Sequence, residues 1–197
     1  MNNEFYIQDG TLVAYTGHQE EVTVPEGVVQ IGERAFALNQ ELRRVTLPEG
    51  VVVIHPEAFF ACPQLEEVTL PNSLLHVGDA AFRSCPKMAD DQGFVIIKNV
   101  LHDYFGQRAN LILPEGITRI AREAFQFHHQ ILTVALPDSV LAVGDRAFCG
   151  CSSLQQVILP ESLIFLGNHV FRWCRALADE NGCFSVPRLG RCEQILD

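Results

Sequence analysis

The sequence is short of positive charge and has no long apolar run. Lysine and arginine together number 14, against 24 aspartate and glutamate residues, and the formal net charge is -10. No apolar stretch approaches the roughly 20 residues that cross a bilayer, and the first residues, MNNEFYIQDG, lack the basic and apolar regions of a secretion signal. Nucleic acids and anionic membranes attract clustered positive charge, so we expect no nucleic-acid partner and no membrane insertion.

The motifs of the common enzyme classes are also missing. The sequence contains no G-x-G-x-x-G, no phosphate-binding loop, no G-x-S-x-G and no H-E-x-x-H. We therefore predict a protein that is not an enzyme and that holds no cofactor and no metal. As written, we expect the chain to be cytoplasmic, with the cell surface as the alternative if it is a fragment of a larger protein.

What the chain does contain is one phrase repeated six times. Its Leu-Pro or Val-Pro step falls at Pro25, Pro48, Pro71, Pro114, Pro137 and Pro160, with 23 residues between neighbours inside each group of three. A phenylalanine column follows at Phe36, Phe59, Phe82, Phe125, Phe148 and Phe171. Regular self-similarity of this length predicts a solenoid, because one unit is too small to bury its own apolar face and must stack on its neighbours.

The repeats fall into two larger blocks. Phe5 aligns with Phe94 and Pro25 with Pro114 at the same offset of 89 residues. Each block opens with a hairpin-like phrase, and the first has the turn dipeptide Asp9-Gly10. We predict a single domain over residues 1–197, in which residues 1–89 and 90–178 each hold a hairpin and three repeats. Residues 179–197 are predicted to form a C-terminal cap that begins as a third, degenerate hairpin.

Each repeat predicts two short extended segments. The phrase Leu-x-x-Val-x-Leu before the proline alternates like a strand with one buried face, and a second apolar pair follows the turn after the proline. Stacking makes the first strands parallel neighbours. The predicted fold is a mostly β, right-handed leucine-rich-repeat coil of six 23-residue units, with a parallel sheet and with β-hairpins at the N-terminus and in the middle. Because the phenylalanines fill the coils, Phe82→Ala is expected to cost about 3–5 kcal/mol.

The phrase LP-x-S/G-V-x-x-I-G-x-x-A-F-x-x-C-x-x-L-x-x-V closely resembles the BspA-like (Treponema-type) leucine-rich repeats of bacterial proteins. The resemblance covers almost the whole chain, including the hairpin phrases. It implies a curved solenoid of a kind found mostly in cell-surface proteins for adhesion and protein binding, and it brings no catalytic residues. The sequence departs from the pattern at His55-Pro56 and at Ala121, where the usual glycine is missing.

The cysteines form a column of their own. Seven cysteines, an odd number, do not make a regular disulfide framework, and one repeat position reads Asn39, Cys62, Cys85, His128, Cys151 and Cys174. We interpret these side chains as buried, reduced fillers that satisfy backbone groups. Two alternatives stay open: a thiol nucleophile at Cys151 activated by His128, and a zinc site drawn from Cys149, Cys151, Cys174, Cys183 and Cys192 or from His128 and His129.

Two outward columns are candidate protein-binding surfaces. The first, called here the sheet ridge, lies on the first strands and comprises Thr23, Thr46, Thr69, Ile112, Ala135 and Ile158. The second, the post-proline ridge, comprises Val29/Gln30, Val52/Val53, Leu75/His76, Thr118/Arg119, Leu141/Ala142 and Ile164/Phe165. Strand alternation places both in solvent, and a contiguous exposed apolar strip marks interaction sites. The aromatic residues Phe60, Phe127 and Trp173 are possible supplementary anchors.

These columns support three functional hypotheses. The leading one is a non-catalytic module that binds a partner protein, with adhesion as one form of it. Its strongest candidate contacts are Val52, Val53, Leu75, Leu141, Ile164 and Phe165, followed by Thr46, Thr69, Ile112 and Ile158. The second is a structural scaffold whose ridge pairs with another copy to form a homo-oligomer. The third is the thiol-dependent enzyme that would use Cys151 and His128.

Overall fold

The computed structural model describes residues 4–186 and 189–195. It divides into two compact units, Met1–Val95 and Ile96–Asp197, so the division falls six residues after the boundary expected from the duplication. Each unit is a mostly β solenoid of three coils, as the repeats predict. Among the described residues there is no α-helix, and two 3-10 turns lie at Pro86–Met88 and Arg175–Leu177. The assignment of residues 1–197 to one domain stays a prediction.

In unit 1, a hairpin precedes coils that contribute two short strands each. The strands are β1 (Phe5–Gln8), β2 (Thr11–Tyr15), β3 (Glu21–Thr23), β4 (Gln30–Ile31), β5 (Arg44–Thr46), β6 (Val53–Ile54), β7 (Glu67–Thr69) and β8 (His76–Val77). The first strands form a parallel sheet in the order β3-β5-β7, and the second strands continue the hairpin in the order β1-β2-β4-β6-β8. The sequence analysis predicts the first sheet; the second sheet forms because the post-proline segments also stack in register.

Unit 2 repeats this arrangement, and its strands follow the same pattern. They are β9 (Phe94–Ile97), which lies across the boundary, β10 (Val100–Tyr104), β11 (Asn110–Ile112), β12 (Arg119–Ile120), β13 (Thr133–Ala135), β14 (Ala142–Val143), β15 (Gln156–Ile158) and β16 (Phe165–Leu166). The sheet orders are β11-β13-β15 and β16-β14-β12-β10-β9. A further antiparallel pair, β17 (Cys183–Val186) and β18 (Arg191–Gln194), forms the predicted third hairpin, although part of the predicted cap, residues 187–188 and 196–197, lies outside the described residues.

Both predicted hairpins turn through two residues with positive φ. Asp9 and Gly10 have φ of 49° and 73°, and Lys98 and Asn99 have φ of 48° and 63°. Positive φ at both central residues matches the twist of the flanking strands. The sequence therefore predicts the first turn directly from its dipeptide, whereas the second turn has a weaker signal because lysine rarely adopts this conformation.

The predicted inward positions are buried, with one instructive exception. Ile31, Ile54, Ile120 and Val143 are fully enclosed in their coils. Four residues of the first extended segments, Val68, Leu70, Val157 and Leu159, are only half buried. They lie in or directly after β7 and β15, the last strands of their sheets, which no further strand of the same sheet covers. Val22 and Leu111, in the first strands of the same sheets, are buried, so these side chains are exposed at one edge of each sheet and not at the other.

A column of stacked rings runs through each core. In unit 1, Phe36, Phe59 and Phe82 follow one another at centroid distances of 4.9 and 5.1 Å with planes inclined by 6°. In unit 2, Phe125 and Phe148 stack at 4.8 Å and 4°. All these rings are fully buried. The 23-residue repeat thus places one ring in every coil directly over the next, and burial of the rings together with their offset contacts stabilises the stack.

Candidate functional site: a cysteine ladder and two outward ridges

The cysteine column is a ladder of hydrogen bonds between successive coils. Each buried thiol donates to the carbonyl of the phenylalanine 26 residues earlier in the chain. The four distances are 3.1 Å for Cys62 to Phe36, 3.1 Å for Cys85 to Phe59, 3.0 Å for Cys151 to Phe125 and 3.0 Å for Cys174 to Phe148. All seven cysteines are reduced. A thiol is small enough to fit this buried position and still donate a hydrogen bond to a main-chain oxygen. Three of these oxygens, those of Phe36, Phe125 and Phe148, also accept a backbone N–H at 3.2–3.3 Å, so the thiol is their second donor.

Asn39 and His128 perform the same task at the other two positions of the column. The amide of Asn39 donates to the Gly17 carbonyl at 3.2 Å, and its oxygen accepts from the backbone of Leu42. His128 Nε2 lies 2.7 Å from the Tyr104 carbonyl. Both residues lie in the first coil after a hairpin, so their partners belong to the hairpin strand and the residues that follow it. His128 reaches the Tyr104 carbonyl, which takes the place of the phenylalanine carbonyl that a thiol reaches elsewhere, whereas Asn39 reaches the carbonyl of Gly17.

The structure does not form the catalytic pair of the third hypothesis. Cys151 bonds to Phe125 and His128 bonds to Tyr104, and no hydrogen bond joins the two side chains. The neighbouring thiols are poor nucleophiles at neutral pH, because the hydrogen bond with Cys151, together with burial, raises the pKa of Cys174. Burial likewise raises the pKa of Cys149. The geometry gives these residues a structural role in the ladder.

The zinc alternative fails on position as well. Within residues 4–186 and 189–195, no group of three or more His, Cys, Asp or Glu side chains could hold a metal ion. Cys149, Cys151 and Cys174 are buried, whereas Cys192 is exposed. The cysteines of the column lie one in each successive coil, in a row. Four zinc ligands must instead surround the ion in a tetrahedron, so this row does not make a zinc site.

The post-proline ridge differs from coil to coil. In unit 2, Leu141, Ile164 and Phe165 are exposed by 43%, 76% and 55%, and the pairing of Ala142 with Phe165 makes them one contiguous apolar patch. In unit 1, Leu75 is 84% exposed. Val52 and Val53 are only half buried, against the expectation that they face solvent fully. Leu141, at the equivalent position of the middle coil of unit 2, is exposed, so the same column differs between the two units.

The sheet ridge of unit 1 is polar and is flanked by charges. Thr46 and Thr69 are exposed there, as expected. Beside them, Arg43 forms ion pairs with Glu20 at 3.3 Å and with Glu66 at 3.1 Å, and Arg44 pairs with Glu21. The column formed by Glu20, Arg43 and Glu66 is not among the residues predicted above. It could have been found from charges of alternating sign at a spacing of 23 residues, because this spacing places opposite charges side by side on neighbouring coils.

The sheet ridge of unit 2 is apolar and its flank is neutral. Ile112 and Ile158 are 80% and 55% exposed, and the half-buried Ala135 lies between them in register. The flanking positions are Asn110, Thr133 and Gln156, among which Thr133 donates to Asn110 at 2.8 Å. The sheet ridge of unit 2 is therefore apolar at all three positions, whereas that of unit 1 has threonine at each.

Two exposed aromatic residues lie at one turn of unit 2. The rings of Phe127 and Trp173 have centroids 6.5 Å apart and planes inclined by 16°. Gly150 lies in the coil between them, and a Cβ there would come within 2.3 Å of the Phe127 ring. The Arg172 guanidinium lies 5.0 Å above Trp173. Phe60, the third predicted anchor, is half buried in unit 1, with Arg34 at 5.9 Å. The aromatic anchors of unit 2 are thus brought together by the missing side chain of Gly150.

The protein belongs to the BspA type leucine-rich repeat family. The family model matches residues 10–100 and 96–186 with six copies of the repeat, and this agrees with the six coils. Within the described part of the chain, no helix is long and apolar enough to cross a membrane. No curated protein matches the sequence.

Several solved structures are similar, including these three. A leucine rich cell surface protein of Faecalibacterium prausnitzii A2-165 is 28% identical with a TM-score of 0.54, over 81% of this chain and 46% of that one. The T. pallidum leucine rich repeat protein is 24% identical with a TM-score of 0.50, over 97% and 95%. The pneumococcal vaccine antigen PcpA is 21% identical with a TM-score of 0.55, over 83% and 50%. The chain thus spans about half the length of the first and third.

Proposed function

We propose that this protein is a non-catalytic binding module and that unit 2 contacts a partner protein through its apolar ridges. One observation carries the proposal: Leu141, Ile164 and Phe165 form a contiguous patch of large apolar side chains in solvent. Single exposed apolar residues are ordinary on protein surfaces, but contiguous patches mark interaction sites. The likeness to a cell surface protein supports an adhesion-type role.

The exposed isoleucines of the sheet ridge extend this proposal. Ile112 and Ile158 stand where unit 1 has Thr23 and Thr69, and their flank is uncharged. Charged side chains are depleted at the centres of protein interfaces because their desolvation is costly. The flank of unit 1 is therefore the less suited of the two to an interface with a partner protein, because it contains arginine and glutamate pairs.

A pair of matched variants tests the proposal. Ile164→Asp in unit 2 corresponds to Leu75→Asp in unit 1, because the two positions are 89 residues apart and are similarly exposed. Each variant is used as bait in cell extract, and the captured proteins are quantified after the melting curves have shown that both variants fold. We expect Ile164→Asp to lose a protein that the wild type and Leu75→Asp retain.

Two results would count against a partner protein. If Ile164→Asp and Phe165→Asp capture the same proteins in the same amounts as the wild type, the patch is not an interface. If light scattering shows that the wild type forms oligomers that Ile164→Asp breaks into monomers, the patch binds a second copy and the scaffold hypothesis replaces the first.

A further inference from the structure

One edge of the first sheet of unit 2 is open. Strand β15 pairs with β13 on one side, and among the described residues no strand pairs with its other side. In earlier coils the next coil satisfies the corresponding backbone groups: the N–H of Leu113 donates to Ala135 at 3.1 Å, and that of Leu136 donates to Ile158 at 3.0 Å. Leu159 is the equivalent residue one coil later, and its N–H makes no such bond within the described chain.

A groove lined mainly by apolar side chains lies beside this edge. Its volume is about 440 Å³, within the range of roughly 300–1,000 Å³ that is usual for binding sites. Coil 6 contributes Val157, Leu159 and Leu163, and the C-terminal hairpin contributes Phe184, Val186 and Leu189; the polar members of the lining are Glu161 and Ser185. Val157 and Leu159 are partly exposed here, whereas Val134 and Leu136 at the same positions of the previous coil are buried.

The coils themselves show what such an edge binds. The edge of β15 that is open corresponds to the edge of β11 that pairs with β13 and to the edge of β13 that pairs with β15. Both of these pairs are parallel and have no shift in register. The segment that is added has the form Ile-x-x-Val-x-Leu at β13 and Leu-x-x-Val-x-Leu at β15, and its valine and final leucine face the interior. An open strand edge beside apolar pockets is also the arrangement by which proteins recognise extended peptides, with main-chain bonds giving affinity and the pockets giving specificity.

We propose that the open edge of β15 binds an extended segment of a partner protein by strand addition. The segment runs parallel to β15 and places valine, isoleucine or leucine at every second position into the groove. This site is distinct from the two ridges. A second copy of this chain is the less suitable donor, because its own segments of this pattern are already packed in coils and releasing one would require unfolding a coil.

A peptide probe tests the proposal directly. Residues 154–160, LQQVILP, fill the equivalent place against β13. A fluorescein-labelled copy with blocked ends is titrated with the full-length protein, and its anisotropy is measured. We expect saturable binding. No rise in anisotropy up to about 1 mM protein, a concentration that corresponds to only about 4 kcal/mol of binding free energy, would overturn the proposal.

Two N-methylated peptides provide the matched control. Where β15 pairs with β13, the backbone N–H of Gln156 donates to the Leu132 carbonyl. N–H groups two residues apart point to the same side of a strand, so the N–H of Ile158 also points at β13 and that of Val157 points away. In a peptide bound to β15 in the same way, the N–H at the Ile158 position would point at β15 and the N–H at the Val157 position would point away. We expect methylation at the Ile158 position to weaken binding about tenfold or more, and methylation at the Val157 position to change it by less than about threefold. Equal effects at both positions would show that any binding is not strand addition.

Substitutions on the protein complete the test. Val157→Lys places a charge in the groove, and Gln156→Lys places the same charge on the adjacent exposed position. We expect the peptide to lose binding to the first variant and to keep it with the second. Undiminished binding to a folded Val157→Lys variant would refute the site. If this variant fails to fold, the two N-methylated peptides decide the question without it.

Discussion

The two units have the same interior and different exteriors. Phe59 and Phe148 occupy equivalent places in the ring stacks, and Cys62 and Cys151 occupy equivalent places in the ladder. On the outer face of the first sheet, by contrast, unit 1 has threonines flanked by ion pairs and unit 2 has isoleucines with a neutral flank. Stacking constrains the inward positions, since each must fit the coils before and after it. The outward positions are free of that constraint, so their differences are the better guide to function.

The largest expected effect tests whether the two interiors are equivalent. Phe59→Ala and Phe148→Ala each remove one ring from the middle of a stack, and each should lower the free energy of unfolding by about 3–5 kcal/mol. Urea denaturation followed by circular dichroism measures both. If the free energy of unfolding falls by about 2 kcal/mol more in one variant than in the other, the two ring stacks do not contribute equally to stability.

A histidine of the second hairpin should make unit 2 more sensitive to acid. His102 is completely buried in β10, and burial, with a smaller contribution from the charge of Arg119, lowers its pKa to about 3. The unfolded chain has the ordinary value of about 6.5 and so binds one more proton between these pH values. The free energy of unfolding therefore has its full value above pH 6.5 and decreases as the pH falls, by about 3 kcal/mol at pH 4.

The equivalent residue of unit 1 supplies the control for this prediction. Val13 occupies that position, so His102→Val removes the titrating group and replaces it with the residue of the other hairpin. We expect the stability of this variant, measured by urea denaturation from pH 7 to pH 4, to depend less on pH than that of the wild type. Parallel curves for the two proteins would refute the role of His102.

Removing a thiol from the ladder should have a moderate effect that is the same in both units. Cys62→Ala and Cys151→Ala each remove one of two donors to the carbonyl of a buried phenylalanine, which keeps a backbone N–H donor at 3.3 Å. The expected loss of stability is about 1 kcal/mol, the net value of one hydrogen bond, and Cys→Ser, which retains a donor, should lose less. Thermal melts of the four variants measure this order. If serine is the more harmful replacement at both positions, the hydrogen bond is not what the column provides.

The smallest expected effect concerns a glycine that only unit 2 requires. Gly150 has φ of 79° and leaves room for Phe127, whereas its equivalent in unit 1 is Ala61, with φ of 55°. Gly150→Ala should cost about 1 kcal/mol, because alanine disfavours this conformation and its Cβ displaces an exposed ring that can move. It should also change the emission of Trp173, the single tryptophan. Unchanged emission would mean that the Phe127 ring does not depend on Gly150.

Most of the repeat could be predicted from the sequence because its cause is periodic. Pro48 and Pro137 mark turns, Phe59 and Phe148 mark the interior, and the period of 23 residues states which residues stack. The second sheet and the partly exposed Val157 are not predictable in this way, since both depend on which neighbours a strand has and not on its own residues. Likewise Val52 and Leu75 occupy the same column, yet Val52 is half buried and Leu75 is 84% exposed, a difference that the repeat pattern does not contain.

By itself, the sequence determines that each half of this protein is a stack of three coils, because apolar side chains recurring every 23 residues can be buried only against the same positions of the next coil. The tertiary structure alone decides what the surface offers. It turns the Cys151 thiol and the His128 ring to main-chain carbonyls instead of to each other, and it leaves one edge of β15 open beside a groove. These outcomes depend on distances between coils and on where the stack ends, and a periodic pattern contains neither.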